Sequence, residues 1–340
     1  MKFLAAGRRA VGLDLGPNNI KALTLERRGK RLTIAGAALT PVDDDVDSVQ
    51  VAQAVQATLV KAGADGEPII SAVGGPEVVI RQVSLPALPP SRILAALTMQ
   101  HKDFGLLAPD ESVLDAQILR RAKNGGATEV LAVSAPRTLV EEHTRTLAQA
   151  SVTPVMLDVE ALALLNGAVH LTGLEPGELL VALSLGIRRT LLCLLSDRGP
   201  VVVRYLEVGA SDFLEHLRVG FAIAPAAVED FARGLAEAAV PHAEEVCRDV
   251  IERIAEDIRL SLAFYRSEYD RESLPRYALG GWLELRQISR WLADRLGLPT
   301  PFELMDPLQS LPMKQAPVGI EADTGGPQFL HAFGLALRGV

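Results

Sequence analysis

From Val11 the chain alternates apolar positions into a turn at Gly16, runs apolar again and reverses at Gly29. That pattern predicts a β-hairpin, with side chains alternating between two faces and turn glycines free to take positive φ. The same pattern returns 170 residues later without a gap. VGLDLGPNNIKALTLERRG at 11–29 and VALSLGIRRTLLCLLSDRG at 181–199 share seven of nineteen positions, Gly16/Gly186, Arg28/Arg198 and Gly29/Gly199 among them. A hairpin repeated half a chain apart predicts two similar lobes facing each other. Glycine turns at their inner strand ends would hold a phosphate chain between them. The copies differ at one telling place, where Asp14 becomes Ser184.

The remaining pattern fills in the lobes. A strand is predicted at 31–39, ending at Pro41, then a solvated acidic loop (Asp43, Asp44, Asp45, Asp47), a helix at 48–61 and a strand at 68–73. Residues 77 to about 154 read strand, helix, strand, strand, helix, with strands at 78–85, 112–120 and 129–135. Helices are predicted from a cap at Ser91 to 102 and at 136–150, and a loop at Asn124-Gly125-Gly126. This stretch reads as an insertion with its own small sheet. A strand at 155–157 and a helix at 160–171 precede the second hairpin, which continues through 201–208. Two helices are predicted next. The clearer, 243–267, places Cys247, Val250, Ile254, Ile258, Leu262 and Tyr265 at helical spacing. A strand at 276–281, a helix at 283–296 and a short helix at 328–338 close the chain. The layout is α/β in two lobes: 1–76, 155–176 and 325–340 for the first, 177–324 for the second, and 77–154 inserted.

Bulk composition narrows the class. A chain of 340 residues with 49% hydrophobic and 22% charged residues is an ordinary globular composition, long enough for two linked cores. A net charge of −8 argues against nucleic acid as a partner. Cys193 and Cys247 sit in apolar patterns and read as small buried hydrophobes in a reducing compartment. The apolar run before Arg8 is too short for a signal segment. No stretch reaches the roughly 18 apolar residues of a spanning helix, since Arg188 and Arg189 interrupt the best candidate. Any membrane association is therefore expected to come through a partner.

Candidate chemistry gathers at the turns. Asp14, Gly16, Asn18, Asn19 and Lys21 place a carboxylate, a glycine and donors around the first turn. A glycine lets backbone N–H groups approach phosphate oxygens, lysine suits a terminal phosphate, and a strand-end carboxylate can order water around magnesium. The alternative is a surface hairpin with a polar turn, but the echo at Gly186 favours a phosphate site. Leu279-Gly280-Gly281-Trp282 ends a later strand in a glycine pair, with room for a flat ring or a phosphate. The histidines are scattered without ligand spacing.

In that order, DxG plus lysine, a second hairpin and LGG before a helix resemble the actin/Hsp70/sugar-kinase ATPase superfamily. More closely, the chain resembles the PilM family of cytoplasmic actin-like proteins of type IV pilus assembly. VVIRQVSLPALPPSRI and FGLLAPDESVLDAQIL resemble the family's inserted subdomain, and SVTPVMLDVEALALLNG, IRLSLAFYRS, YALGGWLEL, ELMDPLQSL and FGLALRG echo other segments. The resemblance covers nearly the whole chain and implies an actin-like, ribonuclease H-like fold with ATP and Mg²⁺ between the lobes. By the matching motifs, Asp14 (also toward magnesium), Gly16, Asn18, Asn19 and Lys21 would form the first phosphate loop and Gly186 part of the second. Gly280, Gly281 and Trp282 would border adenosine, with Asp257 and Ser261 facing the purine. Ser184 replaces the acidic residue usual in the second loop, bulky Ile187, Arg188 and Arg189 follow it, and a later Gly-Gly is Gly209-Ala210. These departures weaken metal placement and base chemistry, so at most slow ATP turnover is expected. The implied role is a scaffold at the inner membrane that binds the N-terminal cytoplasmic tail of a PilN-like membrane protein, with pilus motor components and further copies of the chain as other candidate partners. Alternatives are an FtsA-like or type II secretion platform protein, or a sugar-kinase-type phosphotransferase. The closing PQFLHAFGLALRGV resembles the PilM ending more than an amphipathic membrane helix.

Overall fold

Both repeated hairpins form, and each seeds a five-stranded sheet. The computed structural model describes residues 8–43, 46–121, 126–197, 199–269, 272–282, 285–319 and 325–340. In the first sheet, β1 (Arg8–Leu15), β2 (Asn19–Arg28) and β3 (Arg31–Pro41) run antiparallel, and β4 (Ile69–Val73) and β8 (Met156–Val159) add in parallel on the other side of β1. The order is β3-β2-β1-β4-β8. The second sheet repeats the wiring with β9 (Glu178–Leu185), β10 (Thr190–Ser196), β11 (Val202–Leu206), β12 (Leu274–Gly281) and β13 (Glu303–Leu304), in the order β11-β10-β9-β12-β13. The central strands carry nearly continuous apolar runs because they are covered on both faces.

Helices α4 (Glu160–Thr172) and α11 (Leu330–Leu337) lie between the two sheets. α11 packs Phe333 and Ala336 against β2 and β3, while α4 packs Leu164 and Ala168 against Leu180, Ala182 and Cys193 of the second sheet. Close approach depends on missing side chains. A Cβ on Gly12 would lie 1.8 Å from the Ala332 carbonyl oxygen, and one on Gly334 would lie 1.8 Å from that of Ala163. α11 therefore sits nearly flush on β1 and on α4. On the outer face of the first sheet, α1 (Ser48–Lys61) and α3 (Arg137–Gln149) cover Val11, Leu13 and Ile20. On the outer face of the second, α5 (Ala210–Gly220), α8 (Arg248–Glu268) and α9 (Ile288–Leu296) close the largest core.

Between β4 and β8 the chain builds a third, antiparallel sheet from β5 (Val79–Leu85), β6 (Ser112–Arg121) and β7 (Thr128–Pro136), ordered β5-β7-β6. α2 (Pro90–Met99) packs on its far face through Ile93 and Leu97. Its near face joins the body, with Val78, Ile80 and Leu131 in one cluster with α4 and the second sheet.

Several boundaries depart from the sequence reading. α2 starts at Pro90 with Pro89 at its cap, so Ser91 lies inside the helix: the proline pair presets the entry, and no side chain is needed there. The helix at 48–61 has a stronger start than its apolar pattern suggests, because Asp47 and Gln50 form a reciprocal capping box. The two helices expected after β11 are instead α5, a short α6 (Val228–Arg233), α7 (Val240–Val246) and α8. The apolar period runs unbroken through Cys247, yet that residue takes φ −90° and ψ 3° and separates α7 from α8. Its sulfur is wholly buried, 3.9 Å from the Phe213 carbonyl, so packing against α5 sets the bend. The loop glycine Gly125, Arg198 of the hairpin repeat, Asp44, Asp45 and the start of the helix expected at 283–296 lie outside the described residues. Both cysteines are free and buried, and burial pushes the Cys247 thiol up to about 12.

Candidate functional site

The two hairpin turns meet across a cleft. β1 and β2 close through the Leu15↔Ile20 pair, with Gly16 N–H donating to the Asn19 carbonyl at 3.0 Å. β9 and β10 close through Leu185↔Thr190, with Gly186 N–H donating to the Arg189 carbonyl at 2.9 Å. The parallel register of β12 with β9, Gly280↔Ser184 and Gly281↔Leu185, brings the glycine pair beside the second turn. Gly281 has φ +91°, and a Cβ there would lie 2.3 Å from the Leu185 carbonyl oxygen; only glycine fits without strain. Between these turns lies a cavity of about 560 Å³.

Of the residues expected at the site, Asp14, Gly16, Asn18, Asn19, Lys21, Gly186, Gly281 and Trp282 line this cavity. Gly280 is outside its lining and faces Leu330 and Met305. Asp257 and Ser261 are also outside it. They sit on α8 and are held by Arg204 of β11, whose guanidinium donates to Ser261 Oγ at 2.9 Å and to Asp257 Oδ1 at 3.1 Å. Since β11 is the outer strand of its sheet, this pair secures the outer helix layer.

Asp14 and Lys21 face each other across the hairpin as a register pair, with Nζ 3.1 Å from Oδ2. Burial opposes ionisation of Asp14, but the charges of Lys21, His331 and His143 and the Lys21 hydrogen bond outweigh it and hold the carboxyl below its ordinary value. The sequence offered no signal for either histidine, because each arrives from a distant helix. His143 comes from α3 in the inserted unit, its Nε2 2.9 Å from Ser71 Oγ, and Ser71 donates to the Leu13 carbonyl. Burial keeps His143 below its usual value despite the pull of Asp14.

Three more residues enter from outside any motif. Tyr205, on β11, donates to Glu160 Oε2 and accepts from the Gly75 amide, both at 3.0 Å. It thus joins the second lobe to the first across the cleft. Burial, then the nearby Glu160 carboxylate, raises the Tyr205 hydroxyl well above its ordinary value, so it stays protonated. Glu207 pairs with Arg189 at 3.0 Å.

The two halves of the cleft are not equivalent toward a phosphate chain. The first turn has its cation and carboxylate in place. Around the second, the amides of Ala210 and Ser211 at the start of α5 donate to the Gly186 and Ile187 carbonyls, and the Trp282 amide donates to that of Leu185. Those donors are already used. Ser184, buried at the position matching Asp14, supplies no charge. Among the described residues no cluster of three metal-ligating side chains occurs, and no helix is long and apolar enough to cross a membrane.

Comparison with known proteins places this geometry. Residues 12–340 match the family model described as Type IV pilus assembly protein PilM. Among solved structures, a PilM-PilN type IV pilus biogenesis complex matches with TM-score 0.79 and 25% identity, covering 97% of this chain and 98% of that one. The ethanolamine utilization protein EutJ from Carboxydothermus hydrogenoformans matches with TM-score 0.55 and 16% identity, covering 97% and 89%. ADP-bound MreB5 of Spiroplasma citri matches with TM-score 0.51 and 11% identity, covering 96% and 94%. The last two share the fold alone. With an actin-like two-lobed fold and a family match over nearly its whole length, the chain belongs to the Type IV pilus assembly protein PilM family.

Proposed function

We propose that this protein is a cytoplasmic, actin-like scaffold of the type IV pilus assembly platform at the inner membrane. It binds the N-terminal cytoplasmic tail of a PilN-like membrane protein and is held at the membrane by that partner, with pilus motor components as further contacts. The observation that carries this reading is the likeness, over 97% of the chain, to a PilM solved with PilN. Open strand edges support it. β6 is an edge strand with exposed Val113 and Leu119, and β8 is an edge strand beside exposed Val155 and Met156. An extended tail would add to such an edge through main-chain hydrogen bonds and seat alternate side chains on the apolar residues.

Deleting residues 77–154 would strip Val78, Ile80 and Leu131 from a shared core, so point changes test the reading more cleanly. A fluorescent PilN-type tail peptide is titrated against wild type, Val113→Asp with Leu119→Asp, and Val155→Asp with Met156→Asp. At least a tenfold loss in one pair identifies the edge used. Undiminished binding in both pairs, or none to wild type, defeats the proposal.

For the cleft, we infer binding of ATP with Mg²⁺ and slow or absent turnover. Lys21 and the two arginines of the second turn would meet the phosphates, and Asp14 would order the metal's waters. Bound magnesium nucleotide supplies a reactive phosphoanhydride. In the second turn, Ser184 stands where a carboxylate matching Asp14 would orient water against it, and Glu207, which also lines the cleft, is paired with Arg189. Calorimetry with ATP and Mg²⁺ should give heat with wild type and at least tenfold weaker binding with Lys21→Ala. No heat with either would make the cleft a purely structural joint.

A further inference from the structure

A second cavity, of about 370 Å³, lies at the opposite end of both hairpins. The registers establish the direction: Lys21 pairs with Asp14 at the cleft end of β2, whereas Arg27 pairs with Arg8 at the other end. In the second sheet Thr190 pairs with Leu185 at the cleft, and Leu195 with Leu180 away from it. Arg27 and Leu195 both line the second cavity, so it sits beneath the junction of the two lobes. Its other polar residues, Asn166 and His170 from α4 and Arg338 after α11, offer donors, and no carboxylate is among its lining residues. Leu165 and Val169 supply an aliphatic wall.

Part of this charge has a local explanation. Arg338 caps α11, where a cation complements the carbonyl end of a helix, and its Nε is 3.1 Å from Asp158 Oδ2, while His170 stands in the last turn of α4. Arg27 has no such explanation. It comes from a strand, its Nε is buried without a hydrogen-bond partner, and Asn166 Nδ2 in the same cavity is buried and unpartnered too. Two unsatisfied donors in one pocket are costly, and a ligand that accepts from both removes that cost. Burial and then the Arg27 charge hold His170 below its usual value, a repulsion that an anion would relieve.

We propose that this cavity is a binding site for a small oxyanion, a carboxylate or phosphate bearing a short aliphatic group, held by Arg27, Asn166, His170 and Arg338. The guanidinium of Arg27 would take the oxyanion by charge-assisted hydrogen bonds, and the aliphatic group would lie on Leu165 and Val169. The site is separate from the nucleotide cleft and does not rest on the reading of that cleft.

The test is calorimetric titration of the full chain with butyrate and with ethyl phosphate, at constant ionic strength made up with chloride. Wild type and Lys21→Ala should bind at least one probe equally, which places the anion outside the cleft. Arg27→Gln should bind it at least tenfold more weakly, and Arg338→Gln, which also takes a partner from buried Asp158, should weaken it as well while the chain stays folded. Butyrate binding alone identifies a carboxylate site and ethyl phosphate binding alone a phosphate site. The proposal is overturned by no heat with either probe, by loss in Lys21→Ala, or by binding undiminished in folded Arg27→Gln and Arg338→Gln.

Discussion

Asp14 and Lys21 show how much one register pair decides. Each side chain is mostly buried, at 17% and 11% exposed, so each charge depends on the other for compensation. Removing the lysine leaves a partly buried carboxylate short of its nearest partner, and Lys21→Met should cost about 1–3 kcal/mol at neutral pH. The sign with pH follows from the depressed folded-state value of Asp14. Its contribution is full above the unfolded carboxylate range and is lost as pH falls through the lower folded value. Denaturant melts from pH 7 to pH 2 should therefore lose less stability in Asp14→Asn than in wild type. Equal losses would mean that the pair carries none of the acid sensitivity. Both residues stood out in the sequence around the glycine turn, seven apart, but only the register shows that they pair with each other. Tyr205, Glu160 and His331, which line the cleft, and His143, which meets Ser71, were not legible there, since each comes from an element whose position only packing sets.

At the scale of elements, the joint between α4 and α11 is the most tightly specified contact. Alanine normally favours a helix over glycine by about 1 kcal/mol. At Gly334 the added methyl carbon would meet the Ala163 carbonyl oxygen at 1.8 Å, and backbone cannot rotate aside as a side chain can. The clash wins, so Gly334→Ala should destabilise by about 1–3 kcal/mol in equilibrium unfolding. A stabilised variant would show that the helices can separate freely. In the sequence this glycine is one residue of FGLALRG, and nothing there distinguishes close approach from a mere break in the helix. The division of α7 from α8 at Cys247 was equally hidden. The apolar spacing passes through it unbroken, and the bend reflects what lies against the sulfur.

For the molecule as a whole, the lobes are joined from two sides. α4 and α11 fill the space between the sheets, and the Tyr205 hydroxyl links Glu160 and the Gly75 amide over the cleft. Tyr205→Phe keeps the ring and removes both hydrogen bonds. The expected result is a loss of about 1–2 kcal/mol and faster amide exchange at Gly75, with the core of β1 unchanged. Unaltered exchange at Gly75 would show that the lobes do not depend on this contact.

The sequence by itself determined the two hairpins, their glycine turns, the inserted strand-helix unit and the charge change from Asp14 to Ser184. These are local matters, written in the alternation of apolar residues and in positions where the backbone tolerates no side chain. Tertiary structure decided which distant side chains join the two turns at the cleft, that Asp257 and Ser261 serve Arg204 instead of lining it, and that Arg27 is left with an unpaired donor in a second cavity. Such outcomes depend on the packing of elements far apart in the chain, where burial and hydrogen-bond partners arise from contacts that no spacing along the sequence encodes.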